Sequence, residues 1–226
     1  MASEPDPPDS SGAPRRATLR SDDGRLVRGR RSRARIREAA RELFREVGFD
    51  RATLRAIAAR AEMGASSIYR HVQSKEELLI EELADLQEEA WQRFRAEERG
   101  GGGATRDRID RFLSVQHELL AADRDLTAIA LRATTRPDAR VARRVLALND
   151  RTIGLLLEIL QTGRMREELV PDIDLLEAAR ALFHVTQGAR IPWANGLAGA
   201  EACLASIRAG VDLLFQGIEL DRRPGD

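Results

Sequence analysis

An all-α fold is predicted for this chain of 226 residues on three observations. Apolar residues recur at i, i+3, i+4 and i+7 in segment after segment, the period of an amphipathic helix. No stretch of useful length alternates apolar and polar residues as a half-buried strand would, and no internal repeat is present. Glycine and proline punctuate the periodic segments at Gly48, Gly100 to Gly103, Arg136-Pro137, Gly163, Pro171 and Pro192 with Gly196, where they would end helices.

Residues 1–28 carry four prolines with Ser, Asp and Gly and no periodicity, so a disordered tail is predicted there. Arg25, Arg28, Arg30, Arg31, Arg33 and Arg35 form a basic arm entering the first helix. Such an arm either follows a DNA backbone or minor groove, or stays solvated. The first helix spans Ser32 to Val47, with Ile36, Ala40, Leu43, Phe44 and Val47 on one face. Gly48 stops it, with Phe49 behind. In the second helix Leu54, Ile57, Ala58 and Ala61 share a face behind Thr53, a hydroxyl N-cap. Ala65 to His71 is too short to hold a helix alone in water. Ile68 and Val72 must pack inward, which turns Ser66, Ser67, Tyr69 and His71 outward. Ser74 to Glu77 is a capping box opening a helix from Lys75 to about Glu98, with Leu79, Leu83, Leu86, Ala90 and Phe94 inward. This fourth helix runs from head to body without a break. Gly100 to Gly103 then makes a flexible connection, and five more helices are predicted at 105–121, 124–135, 138–162, 172–190 and 198–219.

Hydrophobic residues are 42% and charged residues 33%, an ordinary composition for a soluble helical protein. No run of 18 apolar residues offers a membrane span. The opening MASEPDPPDSSGAP lacks the basic and apolar regions of a secretory signal. The single cysteine, Cys203, cannot form an intramolecular disulfide and suits a reducing compartment, so a cytoplasmic location is expected. The net charge is zero, but it is unevenly placed. Residues 25–75 hold 14 basic and 5 acidic side chains, a surplus of +9, while residues 76–226 are at −7. A basic head on an acidic body is the footprint of a protein that docks one end on phosphate. Small polar residues on the outward side of Ala65 to His71 suit entry into a major groove.

The segment from Thr53 to Leu78 resembles the DNA-binding signature of the TetR family of transcriptional regulators. The resemblance rests on Thr53, Ile57-Ala58, Ala61-Glu62-Met63, Ser66-Ser67, Tyr69-Arg70-His71-Val72 and Lys75-Glu76-Glu77-Leu78, and it is clear over residues 31 to 91. Glu62 stands at a usual turn glycine; with φ above zero there, a side chain costs about 1 kcal/mol. Gly64 replaces the usual N-cap serine and Ser66 a frequent glycine. The resemblance implies a three-helix helix-turn-helix head over 29–77, with the motif at about 54–73. A long fourth helix would join it to a helical-bundle ligand and dimerisation domain over 78–226. It further implies a homodimeric repressor that releases a palindromic double-stranded operator when a small apolar effector binds. An activator or a ligand-independent DNA-binding protein of the same fold is the alternative. Thr53, Arg55, Ala65, Ser66, Ser67, Tyr69, His71 and Lys75 are the expected DNA-binding residues. Tyr69 and His71 are assigned to phosphates and Arg55 to the strongest base contact. Lys75, the one lysine in the chain, stands at the family's phosphate-contact position; a compact ammonium would fit there where a guanidinium would not.

In the body, Gln116 and Thr152 lie on apolar faces, with Asn149, His117 and Thr186 at the margins. Either these are hydrogen-bonded core residues or they converge on a small-molecule cavity. Trp91, Phe94, Phe112, Gln116, Asn149, Thr152 and Phe183 are the expected effector-binding set, with the aromatics otherwise filling core. The last two helices carry apolar stripes on more than one side, as core or as the seam of a homodimer. Ala209-Gly210 would permit close approach at such a seam. His71, His117, His184 and Cys203 are too scattered for a metal site or a Cys–His nucleophile, and no glycine-rich phosphate loop follows a strand. Neither enzymatic activity, a metal nor a cofactor is expected.

Overall fold

The computed structural model describes residues 21–98, 102–135 and 137–218. Among them are eight α-helices and one 3-10 turn, with no β-strand. Helices α1 (Ser21–Val47) and α2 (Leu54–Arg60), the turn Ile68–Arg70 and the start of α3 (Lys75–Glu98) form the head. Helices α4 (Thr105–Ala122), α5 (Arg124–Thr135), α6 (Ala142–Met165), α7 (Leu175–Ala194) and α8 (Ala200–Ile218) form the body. The predicted head–body boundary at 77/78 falls inside the first turn of α3, so the two parts share one helix.

Some boundaries differ from the sequence expectation, each for a local reason. Helix α1 begins at Ser21, so residues 21–28 of the predicted disordered tail are helical. Residues 1–20, 99–101, Arg136 and 219–226 lie outside the described residues, and with them the rest of that tail and part of the glycine run. Helix α6 starts at Ala142 rather than 138 because Asp138 makes a turn. Its carbonyl accepts from the Val141 and Ala142 amides at 3.0 Å, and its carboxylate from the Arg140 amide at 2.9 Å. Helix α7 opens on Asp174, whose carboxylate accepts from the amides of Leu176 and Glu177 at 2.9 and 3.1 Å. It continues through Pro192, which sits in the last turn where few helical bonds remain to be lost. Gly196, at φ +74°, supplies the left-handed residue that ends it.

One apolar core runs the length of the molecule, from Ile36, Ile57 and Ile68 in the head to Phe112, Leu156, Leu182 and Ile207 in the body. Helix α3 packs on α4, α5 and α6, and α7 packs on α5, α6 and α8. Two glycines set contacts between helices. Gly210 lies against Val185, and a Cβ there would come within 2.3 Å of its Cγ1. The close approach expected of Ala209-Gly210 between two chains is thus used by Gly210 inside one chain, between α7 and α8. Gly163, expected to break a helix, lies within α6 instead. It faces Thr105, whose Oγ1 donates to the Glu168 carboxylate at 2.6 Å. A Cβ on Gly163 would sit 2.0 Å from that oxygen. Gly163→Ala should therefore lower stability in urea unfolding by about 1–3 kcal/mol through overpacking, despite a helix-propensity gain of about 1 kcal/mol. Unchanged or raised stability would show that α4 and α6 separate freely there.

Candidate nucleic-acid interface and effector cavity

The head is assembled by its caps. The Thr53 hydroxyl accepts from the Ala56 amide at 3.1 Å and starts α2. The helix ends in a Schellman arrangement: the Glu62 amide donates to Ala59 O at 3.1 Å and the Met63 amide to Ala58 O at 2.9 Å. Glu62 is in the left-handed region, at φ 53°, the conformation that favours glycine. Arg60 ties α2 to α1 through Glu42 and Glu46.

The expected recognition helix is wound more tightly than an α-helix. The amides of Ser67, Arg70 and His71 bond the carbonyls three residues back, Gly64, Ser67 and Ile68. Such winding suits a segment too short to propagate α-helix, held by the buried side chains of Ile68 and Val72. Tyr69 is 61% exposed, and Thr53, Arg55, Ala65 and Ser66 are also exposed. Ser67 and His71 are half-buried. The Ser67 hydroxyl accepts from the Arg70 guanidinium at 2.9 Å, which brings Arg70 onto this surface. Arg70 is not among the expected DNA-binding residues, although it lies between Tyr69 and His71.

Lys75 is differently placed. Its ammonium donates to the carbonyls of Phe49, Asp50 and Ala52 at 2.6, 3.1 and 3.3 Å. It also lies 4.3 Å from the centroid of the Phe49 ring. All three N–H groups are committed to the α1–α2 corner, so Lys75 enters the head as a positioning residue and not as a free phosphate ligand. The three carbonyls explain why this position holds lysine in a chain otherwise using arginine: a compact head with three radiating donors fits, and a planar fork does not.

Head and body are joined through Glu77, which is 3% exposed. The Ser74 hydroxyl accepts from the Glu77 amide at 3.3 Å, and the Glu77 carboxylate accepts from the Gln73 amide at 2.8 Å. The same carboxylate meets Arg33 of α1 at 2.7 Å and Arg144 of α6 at 2.6 Å. Both arginines also pair with Glu81. These carboxylates hold the Arg33 pKa above its ordinary value, with the Glu81 hydrogen bond the largest cause.

A cavity of about 330 Å³ opens between α5, α6 and α7. A smaller space of about 40 Å³ continues it inward to α3 and α4. Leu131, Thr134, Asn149, Phe183, Gln187 and Arg190 line both. Of the expected effector-binding set, Asn149 and Phe183 lie at this junction, and Gln116 and Thr152 line the inner space. Gln87 of α3 donates to the Thr152 hydroxyl at 2.6 Å. Trp91, Phe94 and Phe112 line neither chamber. They pack on one another, with centroids 5.3 to 5.7 Å apart, as a core cluster between α3 and α4. Thr186 is core as well, its hydroxyl donating to Phe183 O at 2.7 Å. Burial lowers the pKa of His117, whose ring lies 5.2 Å from that of Trp193. Sequence reasoning missed Arg190, Gln187, Thr134 and Gln87. Arg190 had a readable signal, since it follows Phe183 by seven residues on the buried face of α7.

A basic helix-turn-helix head on an all-helical body with an internal cavity defines a DNA-binding transcriptional regulator. Residues 36–81 match the family model for bacterial regulatory proteins of the tetR family. That match lies on the helix-turn-helix head. The chain is 27% identical over 157 residues to the HTH-type transcriptional regulator UidR of Escherichia coli K12, covering 70% of this chain and 79% of UidR. It is 28% identical over 202 residues to the HTH-type transcriptional repressor KstR of Rhodococcus jostii RHA1, covering 88% and 90%. Among solved structures, the TetR-family repressor FadR of Thermus thermophilus, in complex with lauroyl-CoA, superposes with a TM-score of 0.73. That match has 24% identity and covers 86% of this chain and 98% of FadR. The regulator FadR of Bacillus subtilis, in complex with stearoyl-CoA, gives 0.65 at 19% identity, covering 81% and 98%. No described helix is long and apolar enough to cross a membrane.

The Lys75 cage carries a direct test. Lys75→Arg should lower stability to chemical denaturation by about 1–3 kcal/mol, the cost of leaving partly buried carbonyls without their charged donor. Wild-type stability in Lys75→Arg would show that the corner does not depend on the ammonium.

Proposed function

We propose that this chain is a homodimeric repressor that releases a palindromic operator when a small, largely apolar effector enters the cavity between α5, α6 and α7. The observation that carries this reading is the reach of that cavity. Its inner end is lined by Leu83 and Gln87 of α3, the helix whose first turn is capped in the head. An effector bound there pushes on α3 through these two residues, rather than through Trp91 or Phe94. The acyl-CoA ligands of the two FadR structures support an apolar chain as part of the effector.

Dimerisation is assigned to the outer faces of α7 and α8. Leu176 on α7 and Leu213 on α8 are exposed apolar residues there. Two heads are needed, because Ala65, Ser66 and Ser67 are too small to read many bases. Their recognition segments must lie about 34–36 Å apart, or a multiple of it, to enter successive major grooves. A tilt of α3 spoils that spacing without unfolding the head. On the DNA, Tyr69, His71 and Thr53 are assigned to phosphates, Ala65, Ser66 and Ser67 to the groove, and Arg55 to a base edge.

Two measurements test the reading. A duplex selected from random sequence should bind with steep salt dependence. With about 6–10 phosphates neutralised, affinity should fall by roughly 10³–10⁵ between 50 and 200 mM salt. Tyr69→Ala should weaken selected and random DNA alike. A flat salt response would remove DNA docking through this face. Second, lauroyl-CoA or its free acid, titrated with and without that duplex, should bind more weakly in its presence. Linkage sets the same factor in both directions, about 5- to 150-fold for a coupling of 1–3 kcal/mol. Equal affinity in both titrations would remove the release mechanism while leaving DNA binding intact.

A further inference from the structure

Two arginines are buried among the described residues, and only one has a counter-ion. Arg108 is 5% exposed and is held by the Glu98 carboxylate, with Nη2 donating at 2.8 Å. Arg190 is 6% exposed and lines both chambers of the cavity. Its Nη2 donates to the Gln116 Oε1 at 2.6 Å. Its Nε is buried without a hydrogen-bond partner among the described residues. No described carboxylate pairs with it. The ionisable groups that feel its charge are Cys203, whose thiol pKa is raised by burial, and His117, whose pKa is lowered by burial and then by Arg190, so neither supplies an anion. Burial pulls the Arg190 pKa down to about 10, still well above neutral pH. The guanidinium therefore stays charged in a site that offers it one neutral oxygen. A buried cation without an anion is costly, and a cavity at its side gives an anion a place to sit.

We propose that the effector is an amphipathic monocarboxylate whose carboxylate seats on Arg190 at the junction of the two chambers. This rests on the reading of the cavity as the effector site. Gln116 orients the guanidinium from behind by accepting from Nη2, which leaves the remaining donors for the ligand. Asn149, Gln187 and Thr134 supply neutral polar groups around the carboxylate, and Leu131, Phe183 and Ile191 face its apolar body. A cation is refused by the guanidinium. A neutral headgroup or a thioester carbonyl leaves the charge unmatched, so both bind less well than the free acid.

The test is calorimetric titration of the full-length protein with decanoate, 1-decanol, decylammonium and decanoyl-CoA, together with thermal unfolding of the ligand-free protein. Decanoate should bind at least about tenfold more tightly than the other three. Arg190→Met should bring decanoate down to the affinity of 1-decanol and raise the melting temperature of the empty protein, because the unmatched charge is gone. Arg190→Lys should keep part of the preference for decanoate. Equal binding of decanoate with 1-decanol or with decanoyl-CoA overturns the proposal. So does a decanoate preference that survives Arg190→Met, a fall in the melting temperature of that variant, or failure of decanoate to bind. Operator release, read in parallel, separates the two readings. Decanoate bound through Arg190 with the operator still held leaves the carboxylate site standing and removes the regulatory role. Release by 1-decanol or decanoyl-CoA as readily as by decanoate does the reverse.

Discussion

Glu77 sits where three parts of the molecule meet, and its carboxylate is shared among them. It closes the cap of α3 through the Gln73 amide, reaches α1 through Arg33, and reaches α6 through Arg144. A carboxylate this deeply buried must be matched by cations and N–H groups to remain charged. Breaking a buried pair costs about 3–5 kcal/mol; here the figure is smaller, since both arginines keep contact with water. The consequence is geometric. The direction in which α3 leaves the head is set by the same group that ties the head to α6, so α3 cannot change its angle without disturbing these pairs.

Further along α3, the contacts change from ionic to apolar and hydrogen-bonded. Leu83 and Gln87 meet the inner end of the cavity, and Gln87 is held by Thr152 of α6. Beyond them Trp91, Phe94 and Phe112 lock α3 onto α4. The helix is therefore gripped at both ends and adjustable in its middle third, beside the cavity. That division follows from packing. Interlocked aromatic rings resist displacement as a dense core does. A polar pair beside an open space has room to rearrange.

The head shows the same economy on a smaller scale. A segment of seven residues cannot sustain an α-helix by itself, and Ala65 to His71 does not form one. Its backbone is wound on three-residue bonds and its position is set by Ile68 and Val72 beneath. The strained turn at Glu62 and the lysine cage at the α1–α2 corner fix the two ends of α2 relative to α1. The outward side chains stand on a frame whose rigidity comes from elsewhere in the head.

Much of this was legible in the chain alone. Helix periodicity, the Thr53 cap, the Ser74 to Glu77 box and the charge divide between head and body are local properties, and local chemistry writes them into adjacent residues. The resemblance at Thr53 to Leu78, on which the proposed DNA-docking surface rests, is legible for the same reason. Tertiary packing decided what the spacing of residues leaves open. Trp91, Phe94 and Phe112 are as apolar as Phe183, yet they fill core while Phe183 borders a cavity. The difference lies in which helices face them. Gly163 and Gly210 read as a breaker and a seam, and became contacts between helices because Thr105 and Val185 arrive from distant parts of the chain. Lys75 read as a phosphate ligand until three carbonyls some 25 residues earlier closed around it. Arg190 was one arginine among many in sequence; the buried face of α7, with no described carboxylate paired to it, makes it the group that defines the cavity.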